Sequence, residues 1–143
     1  MQNFFLAAEL KTMAILIRRM AEQGPALLQL DGLTAIQCMI LEYLFENRAR
    51  DVFQRDLEAE FRIRRSTVTG ILQGMERRGL ILRQPVKQDA RLKKLVLTDA
   101  GIGIHTNAEQ TMREVERRAL AGISEEEFLI FRSTLEKIKQ NLM

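Results

Sequence analysis

The sequence is poor in the residues that build disulfide bonds and metal sites. Its 143 residues include one cysteine and one histidine. A single cysteine allows no internal disulfide, which fits a reducing compartment such as the cytosol. A structural zinc site is also disfavoured, because such a site uses four ligands. The sequence therefore predicts neither a disulfide-stabilised domain nor a metal site, and we expect no cofactor.

Long apolar runs, targeting signals and catalytic motifs are also missing. No apolar run approaches the roughly 18–20 residues of a membrane span. The first residues do not resemble a signal peptide, because Glu9 interrupts their apolar part. The only histidine is isolated from any serine–aspartate pair, and no P-loop is present. We therefore expect a cytoplasmic protein that is not an enzyme.

What the sequence does contain is a basic middle segment between acidic flanks. Residues 48–94 hold 13 Lys and Arg against 6 Asp and Glu, whereas the remaining residues hold 9 against 13. Such a partition is typical of a module that binds a polyanion on a frame with another task. A solvated basic surface without a partner is the alternative that charge alone leaves open.

The centre of this basic segment has the pattern of a half-buried helix. Val68, Ile71, Leu72 and Met75 have the i, i+3, i+4, i+7 spacing of one apolar helix face. The opposite face is small and polar. It consists of Ser66, Gly70, Gln73 and Arg77, with Thr67, Thr69 and Gly74 beside it. We interpret this face as one that enters a DNA groove.

Three glycines accompany this helix. Gly79 suits the left-handed position just past a helix end. Gly70 and Gly74 lie inside the helix, where each of them lowers stability. Close approach of the backbone to DNA would explain them, and packing against a neighbouring element is the alternative.

The flanking segments extend this helix into a winged helix-turn-helix. A helix expected over Gln54–Phe61 precedes it after a tight turn. The period then changes, and residues 81–83 and 92–97 read as two strands around a loop that contains Pro85 and Asp89. The basic residues near the tip of this hairpin are Lys87, Arg91, Lys93 and Lys94. We expect an exposed basic wing.

The two ends of the chain carry apolar helical stripes. Residues 2–23 predict a helix that Gly24-Pro25 would end. A capping box of Ser124 and Glu127 opens the final helix. The two stripes suit packing of these helices on another chain or on each other. The residues that would form an interface with another chain are Phe4, Phe5, Leu10, Phe128, Phe131, Leu135 and Ile138. Docking of the first helix within its own chain is the alternative.

Two more helices and a short strand complete the pattern. Thr34 and Gln37 form a capping box for a second helix that ends near Asn47. Residues 51–53 suggest a small strand. Thr98 can cap a long helix, whose apolar stripe is Ile104, Ala108, Met112, Val115 and Ala119. The predicted order is helix, helix, small strand, helix, helix, hairpin, helix, helix.

Cys38 and His105 are the two residues whose chemistry the pattern leaves open. Cys38 lies off the buried face of the second helix, with no basic residue within one turn, which favours an inert packed thiol over a reactive one. His105 lies one residue off the apolar stripe. We expect it on the helix surface, with a role as a ligand or pH sensor as the alternative.

In this order of elements, the chain resembles the MarR-type winged-helix transcription factors over essentially its whole length. The resemblance rests on Leu33-Thr34, on residues 65–69 with 75–81, and on Asp89-Ala90-Arg91 followed by Leu97-Thr98 and Gly101. The wing motif is the most specific of the three. The family implies a mainly α fold with a small β-hairpin wing, in which a winged helix-turn-helix lobe stands on a helical dimerisation frame.

The resemblance also implies that residues 1–143 form one domain whose segments have different functions. Residues 1–32 and 99–143 would form the frame of a homodimer, and residues 33–98 the DNA-binding lobe. The recognition helix would enter the major groove, with Asp89 orienting the wing arginine toward the minor groove. The implied contacts are Arg65, Ser66, Thr67, Thr69, Gly70 and Gln73 on the helix and Arg91 on the wing, with Arg64, Arg77, Lys87 and Lys93 as further contacts.

The function implied is that of a sequence-specific regulator of transcription. We expect a repressor that binds a pseudo-palindromic operator as a homodimer and is released by a small phenolic or carboxylate ligand. The cysteine that some members carry in the first helix is absent here, which argues against a thiol switch. The alternative is a winged-helix module for protein–protein interaction, which would not need a concentrated positive charge.

Two helix starts depart from the family pattern. Arg64 precedes the recognition helix and Phe53 precedes the helix before it, where a serine or similar cap is usual. A lost cap costs about 1 kcal/mol unless another group replaces it. Arg64 could instead contact a phosphate.

Overall fold

The computed structural model describes residues 5–23 and 32–143, which form six helices and one two-stranded antiparallel hairpin. The elements are α1 (Leu6–Glu22), α2 (Ala35–Glu46), α3 (Gln54–Phe61), α4 (Arg65–Arg77), β1 (Ile81–Val86), β2 (Asp89–Leu97), α5 (Asp99–Ala119) and α6 (Glu125–Leu142). The expected mainly α fold with a hairpin wing is confirmed. Phe4 and the Gly24-Pro25 helix end lie outside the described residues.

The capping signals predict the helix starts correctly. Thr34 and Gln37 exchange two hydrogen bonds, from the Thr34 N–H to the Gln37 Oε1 at 2.9 Å and from the Gln37 N–H to the Thr34 Oγ1 at 3.3 Å. Ser124 and Glu127 form the same box before α6, and the Ser124 N–H lowers the pKa of the Glu127 carboxyl. The Thr98 side chain caps α5. These starts are local, so short sequence patterns determine them.

The core of the lobe forms around the apolar face of α4. Val68, Leu72 and Met75 are buried, and Ile71 is half-buried. Residues from α2, α3, the hairpin and the connecting segments complete the cluster: Leu33, Ile40, Leu41, Leu44, Val52, Leu57, Leu80, Ile81 and Leu95. The predicted buried face of α4 is therefore confirmed, and the packing leaves the opposite face toward solvent.

A glycine ends α4 as expected. Gly79 has a φ of 71°, and its N–H donates to the Glu76 carbonyl at 2.9 Å. The N–H of Leu80 donates to the Met75 carbonyl at 3.0 Å. This pair of bonds is a Schellman motif, in which the buried Leu80 and Met75 side chains follow the usual apolar pairing. The chain therefore leaves α4 directly into β1.

The prediction of a small strand over residues 51–53 is wrong. This segment is extended, but it makes one backbone hydrogen bond to the hairpin, from the Leu95 N–H to the Val52 carbonyl at 2.7 Å. Three residues with one such bond do not build a ladder. The buried Val52 side chain contributes to the core instead.

The hairpin is longer than the sequence suggests, since its turn is confined to residues 87–88. Pro85, expected in the loop, lies in β1 opposite Lys93, and Asp89 lies in β2. The Leu95 N–H donates to Val52 and so points away from β1, which makes Leu95 and Arg83 a pair without ladder hydrogen bonds. Because such pairs alternate along an antiparallel ladder, Lys93 and Pro85 form the next pair of this kind. A proline at such a position loses no hydrogen bond, which is why β1 continues through it.

The buried face of α5 is broader than its predicted stripe. His105, expected on the surface, is 3% exposed, and Thr111 is buried, whereas Ala119 is exposed. The His105 Nδ1 lies 3.4 Å from the Glu42 Oε2, and its ring centroid lies 4.3 Å from that of Phe45. Because α5 packs on α1 and on α2, more of its circumference is covered than one stripe describes.

Gly101 permits the contact between α5 and the start of the hairpin. A Cβ at this position would lie 2.1 Å from the Leu80 carbonyl oxygen, a backbone atom that cannot rotate away. We expect Gly101→Ala to lower the free energy of unfolding by about 2–3 kcal/mol, as overpacking does. Urea denaturation followed by circular dichroism measures the change.

Gly103→Ala is the matched control for this substitution. It lies in the same helix, with no heavy atom within 4 Å of its Cβ position. Helix propensity alone should then stabilise the protein by about 0.5–1 kcal/mol. Equal effects of the two substitutions would contradict the close contact at Gly101.

Candidate nucleic-acid interface and adjoining cavity

The outer face of α4 is open to solvent. Its predicted residues are exposed with one exception: the exposed ones are Arg64, Arg65, Ser66, Thr67, Gly70, Gln73 and Arg77. They form one surface because the apolar stripe holds the opposite face against α2, α3 and the hairpin. Hydroxyl, amide and guanidinium groups of this kind pair with base edges and phosphates.

The glycines of α4 have no packing role within the described residues. A Cβ at Gly70 would have no heavy atom within 4 Å, and one at Gly74 would approach only the Arg77 Nη2, at 3.8 Å. Packing against a neighbouring element is therefore excluded as the reason for Gly70 in this part of the chain. The exposed backbone at Gly70 is open to an outside molecule.

The start of α4 has no side-chain cap. Arg64 occupies the cap position in an extended conformation without a capping hydrogen bond, as expected from the sequence. The positive end of the helix dipole is therefore exposed next to two arginines, where an anion is stabilised. At α3 the missing cap is partly replaced, because Asp56 accepts the Phe53 N–H at 2.8 Å.

Thr69 is the exception on the α4 surface, since it is half-buried and bonded within the chain. Its Oγ1 accepts from the Gln54 Nε2 at 2.8 Å. The same Nε2 donates to Glu58 at 3.0 Å, and the Gln54 Oε1 accepts from the Arg83 Nη1 at 3.4 Å. The Arg83 Nε in turn lies 2.5 Å from Glu76. Gln54 thus connects α3, α4 and the wing.

The sequence reasoning missed Gln54, Arg83 and Glu76. Gln54 and Arg83 are 29 residues apart, so no local pattern joins them. The one local feature that could indicate this contact is the position of Gln54 at the start of a short helix, from which a glutamine side chain can reach the next helix. Their role is to fix the wing against the recognition helix.

Arg91 lies at an irregularity of the wing. Regular pairing ends at Pro85 opposite Lys93, and the next pair is Val86 with Asp89, so residues 90–92 of β2 have no opposite residues. The Arg91 side chain is exposed, and its backbone N–H donates to the Asp89 Oδ1 at 2.9 Å. A bulge redirects a side chain out of the regular strand pattern. Asp89 therefore holds the backbone from which Arg91 extends.

A basic notch separates the wing from the recognition helix. Its volume is about 300 Å³, and its basic residues are Arg55, Arg65, Arg83, Arg91 and Lys93, against the single acid Glu58. The notch brings Arg65 of α4 together with Arg91 and Lys93 of the wing. Lys87 is exposed in the turn, whereas Lys94 is held by Asp51 at 3.2 Å.

Apolar side chains are exposed at both ends of the chain. Helix α6 has no buried residue, and α1 buries only Ala21, against Ala108 and Val115 of α5. Of the expected interface residues, Phe5, Leu10, Phe128 and Phe131 are exposed, and Leu135 and Ile138 are half-buried. The described residues therefore cover these apolar surfaces only in part.

A second concave feature is a cavity of about 760 Å³ lined by residues of α1, α2, α3 and α5. Cys38 and His105 both line it. The Cys38 thiol is half-buried, and desolvation raises its pKa more than the nearby Arg18 lowers it. The cysteine is therefore a protonated packed thiol near neutral pH, and not an activated one.

Residues 5–23 and 32–143 contain no group of three or more His, Cys, Asp or Glu side chains that could hold a metal ion. No helix within these ranges is both long and apolar enough to span a membrane.

Sequence comparison identifies relatives among transcriptional regulators. The family model described as the MarR family matches residues 31–92. The HTH-type transcriptional regulator PecS of Dickeya dadantii (strain 3937) is 32% identical over 81 residues, which cover 57% of this chain and 49% of PecS. The chain thus matches about half the length of this relative.

Two solved structures match over nearly the full length. The transcription regulator MarR from Oenococcus oeni PSU-1 is 30% identical, covers 94% of this chain and 96% of its own, and has a TM-score of 0.67. The S. aureus MepR–DNA complex is 26% identical over 100% of both chains, with a TM-score of 0.84. These matches extend through the helices outside the family model, and the chain belongs to the MarR family of transcriptional regulators.

Proposed function

We propose that this chain is a sequence-specific regulator of transcription that binds double-stranded DNA as a homodimer. The observation that carries the proposal is the basic notch, since it aligns the exposed face of α4 with the wing arginine on one surface. Family membership and the structure of MepR bound to DNA support it. We propose repression as the outcome, because a protein seated on an operator blocks polymerase.

In this proposal the outer face of α4 enters the major groove. Ser66, Thr67 and Gln73 would contact base edges, and Arg65 would pair with guanine or a phosphate. Gly70 would let the backbone approach the DNA closely. Thr69 would act through Gln54 as a positioning residue, because its hydroxyl is bonded inside the lobe.

The wing would contact the neighbouring minor groove. Arg91 extends from a backbone fixed by Asp89, and an arginine gains from the concentrated negative potential of a narrow minor groove. A phosphate strand would pass along the notch between wing and helix. Its contacts, together with those at the ends of α4 and the wing tip, would come from Arg55, Arg64, Arg77, Lys87 and Lys93.

We propose that α1, α5 and α6 form the dimerisation frame. The exposed apolar residues of α1 and α6 would pair with a second copy of this chain, as in a two-fold interface. Residues 1–32 and 99–143 would then serve the frame and residues 33–98 the lobe. A pseudo-palindromic operator with half-sites about one helical turn apart follows from this symmetry.

The cavity where α1 and α5 meet α2 and α3 is the proposed effector site. It adjoins both the frame and the lobe, so a bound molecule there can favour one spacing of the two lobes in the dimer. A spacing that misses consecutive grooves would release the operator. We place the protein in the cytoplasm with its DNA, and assign it no enzymatic activity, since its relatives are regulators.

Arg91 provides a direct test of the DNA-binding proposal. Arg91→Ala should weaken operator binding by about 1–3 kcal/mol and reduce the slope of log affinity against log salt by about one unit. Fluorescence anisotropy over a salt series measures both quantities, with DNA obtained by in vitro selection. Lys137→Ala, which removes one positive charge from α6, should leave both unchanged. Indifference of binding to salt and to Arg91 would favour the protein–protein module instead.

Gly70 separates DNA contact from protein stability. Gly70→Ala should raise the free energy of unfolding by about 0.5–1 kcal/mol, since alanine favours a helix and the site is open. The same methyl group should weaken DNA binding by about tenfold, as a clash of about 1–3 kcal/mol does. Gly103→Ala should stabilise without weakening binding. A tight-binding Gly70→Ala protein would rule out close backbone approach.

The dimer frame is tested by a charge on α6. Phe131 is 46% exposed. Burying a glutamate in an apolar interface is strongly unfavourable, so Phe131→Glu should give a monomer in sedimentation equilibrium and lose most operator affinity. Gln140→Glu adds the same charge elsewhere on α6 and should remain dimeric. A dimeric Phe131→Glu protein would place the interface away from this side chain.

A further inference from the structure

The mouth of the 760 Å³ cavity is acidic, although the lobe beside it is basic. Buried Ala21 and Ala108, with half-buried Ile17 and Met112, make an apolar floor. Five glutamates and two arginines also line the cavity, a formal charge of −3 with its histidine neutral. They are Glu42, Glu46, Glu60, Glu109 and Glu116, with Arg18 and Arg113. An apolar body with a positive group matches this distribution.

The two arginines already have carboxylate partners. The Arg113 Nη2 lies 2.5 Å from the Glu109 Oε1, and the Arg18 Nε lies 2.8 Å from the Glu22 Oε1. Arg18 also donates from Nη1 to the Leu33 carbonyl at 3.3 Å. An anionic ligand would have to compete with these bonds. In the described residues, both arginines of the cavity are therefore already paired, and neither is free to bind an anionic ligand.

The glutamates are differently placed. Glu46, Glu60 and Glu116 have no cationic nitrogen within 4 Å in the described part of the chain, and Glu42 lies 3.4 Å from the His105 Nδ1. Arg113 is near enough to Glu42 and Glu116 for their charges to raise its pKa, so Glu46 and Glu60 are the carboxylates with the least cationic compensation. Their carboxylates are exposed at the mouth, with part of their surroundings formed by the apolar floor. A cation entering the cavity approaches several negative charges at once without breaking an ion pair.

Two aromatic rings also line the cavity, and one of them, Tyr43, already has the Arg50 guanidinium carbon 5.8 Å from its centroid. Tyr43 and Phe61 lie edge to face, with centroids 5.9 Å apart and an interplanar angle of 69°. Aromatic faces attract organic cations through the ring quadrupole, and they pack against apolar ligand bodies. Carboxylates beside aromatic rings are the groups that recognise hydrophobic ammonium and phosphonium ions.

We propose that this cavity binds a hydrophobic organic cation. The inference rests on the proposed function, in which an effector in this cavity changes DNA affinity, and it departs from the phenolic or carboxylate effector that the family resemblance suggests. Glu60 belongs to α3 of the lobe, whereas Glu116 belongs to α5 of the frame. A cation attracted to both holds one relative position of lobe and frame.

Two ions of nearly equal size and opposite charge test the proposal. Tetraphenylphosphonium and tetraphenylborate are titrated into the full-length protein by isothermal calorimetry at physiological salt. We expect the cation to bind at least about tenfold more tightly than the anion. The pair 4-hydroxybenzamidine and 4-hydroxybenzoate repeats the comparison on a phenol. A preference for the anion in both pairs would overturn the proposal.

Substitutions assign the binding to the cavity. The double variant Glu46→Gln, Glu60→Gln removes two exposed charges and should lower phosphonium affinity about tenfold. Arg113→Gln frees Glu109 and should strengthen phosphonium binding, whereas Glu136→Gln on α6 should leave it unchanged. Thermal unfolding checks that each variant is folded. Phosphonium binding that the double variant leaves intact would overturn the assignment.

A DNA-binding measurement distinguishes failure of this inference from failure of the proposed function. Operator affinity is measured by anisotropy with and without phosphonium. Phosphonium binding that leaves DNA affinity unchanged would support the cation preference and contradict effector control of DNA binding. Salt-dependent DNA binding by a protein that binds neither cation would overturn the cation inference alone.

Discussion

The backbone junction at Gly79-Leu80 holds the winged-helix lobe together. The Leu80 N–H closes the end of α4, and the Leu80 carbonyl accepts the Thr98 N–H at 3.1 Å. Thr98 also donates from Oγ1 to the Gly79 carbonyl at 2.6 Å, and its side chain caps α5. Gly101 allows α5 to approach this point. Helix α4, both strands of the hairpin and α5 therefore all connect to this one short backbone segment, and a shift there would move all of them.

The sequence predicts local features of this fold and misses those that depend on distant partners. Patterns of three to eight residues determine the capping boxes, the helix end at Gly79 and the apolar face of α4, so these features are predictable from the sequence. The continuation of β1 through Pro85 depends on which way the Leu95 N–H points, and a local pattern does not contain that. The burial of His105 likewise depends on α2 covering a second side of α5. At the candidate site, sequence identified the exposed α4 residues but not the hydrogen bonds that connect Gln54 to Thr69 and Arg83.

Opposite charges on neighbouring surfaces give the two proposed sites different ligands. The notch concentrates arginines and a lysine around one glutamate, whereas the cavity has more glutamates than arginines. A DNA phosphate is attracted to the first and repelled from the second, and a cation has the opposite preference. This separation lets a small molecule bind in the presence of DNA without competing for its contacts. Any effect of such a molecule must then pass through the position of the helices.

Helix α5 is the element that can carry such an effect. Its 21 residues span about 30 Å. Its first turn rests on the Leu80 junction, its middle lines the cavity through His105 and Ala108, and its later part packs on α1 through Val115. A helix with contacts at all three levels is the element through which the proposed effector would change the position of the lobe relative to the frame. Helix α6 buries none of its own residues within the described chain, as the proposed dimerisation frame requires. In the proposed dimer, the distance between the two copies of α4 would then depend both on the dimer contact and on the cavity lined by α1, α2, α3 and α5.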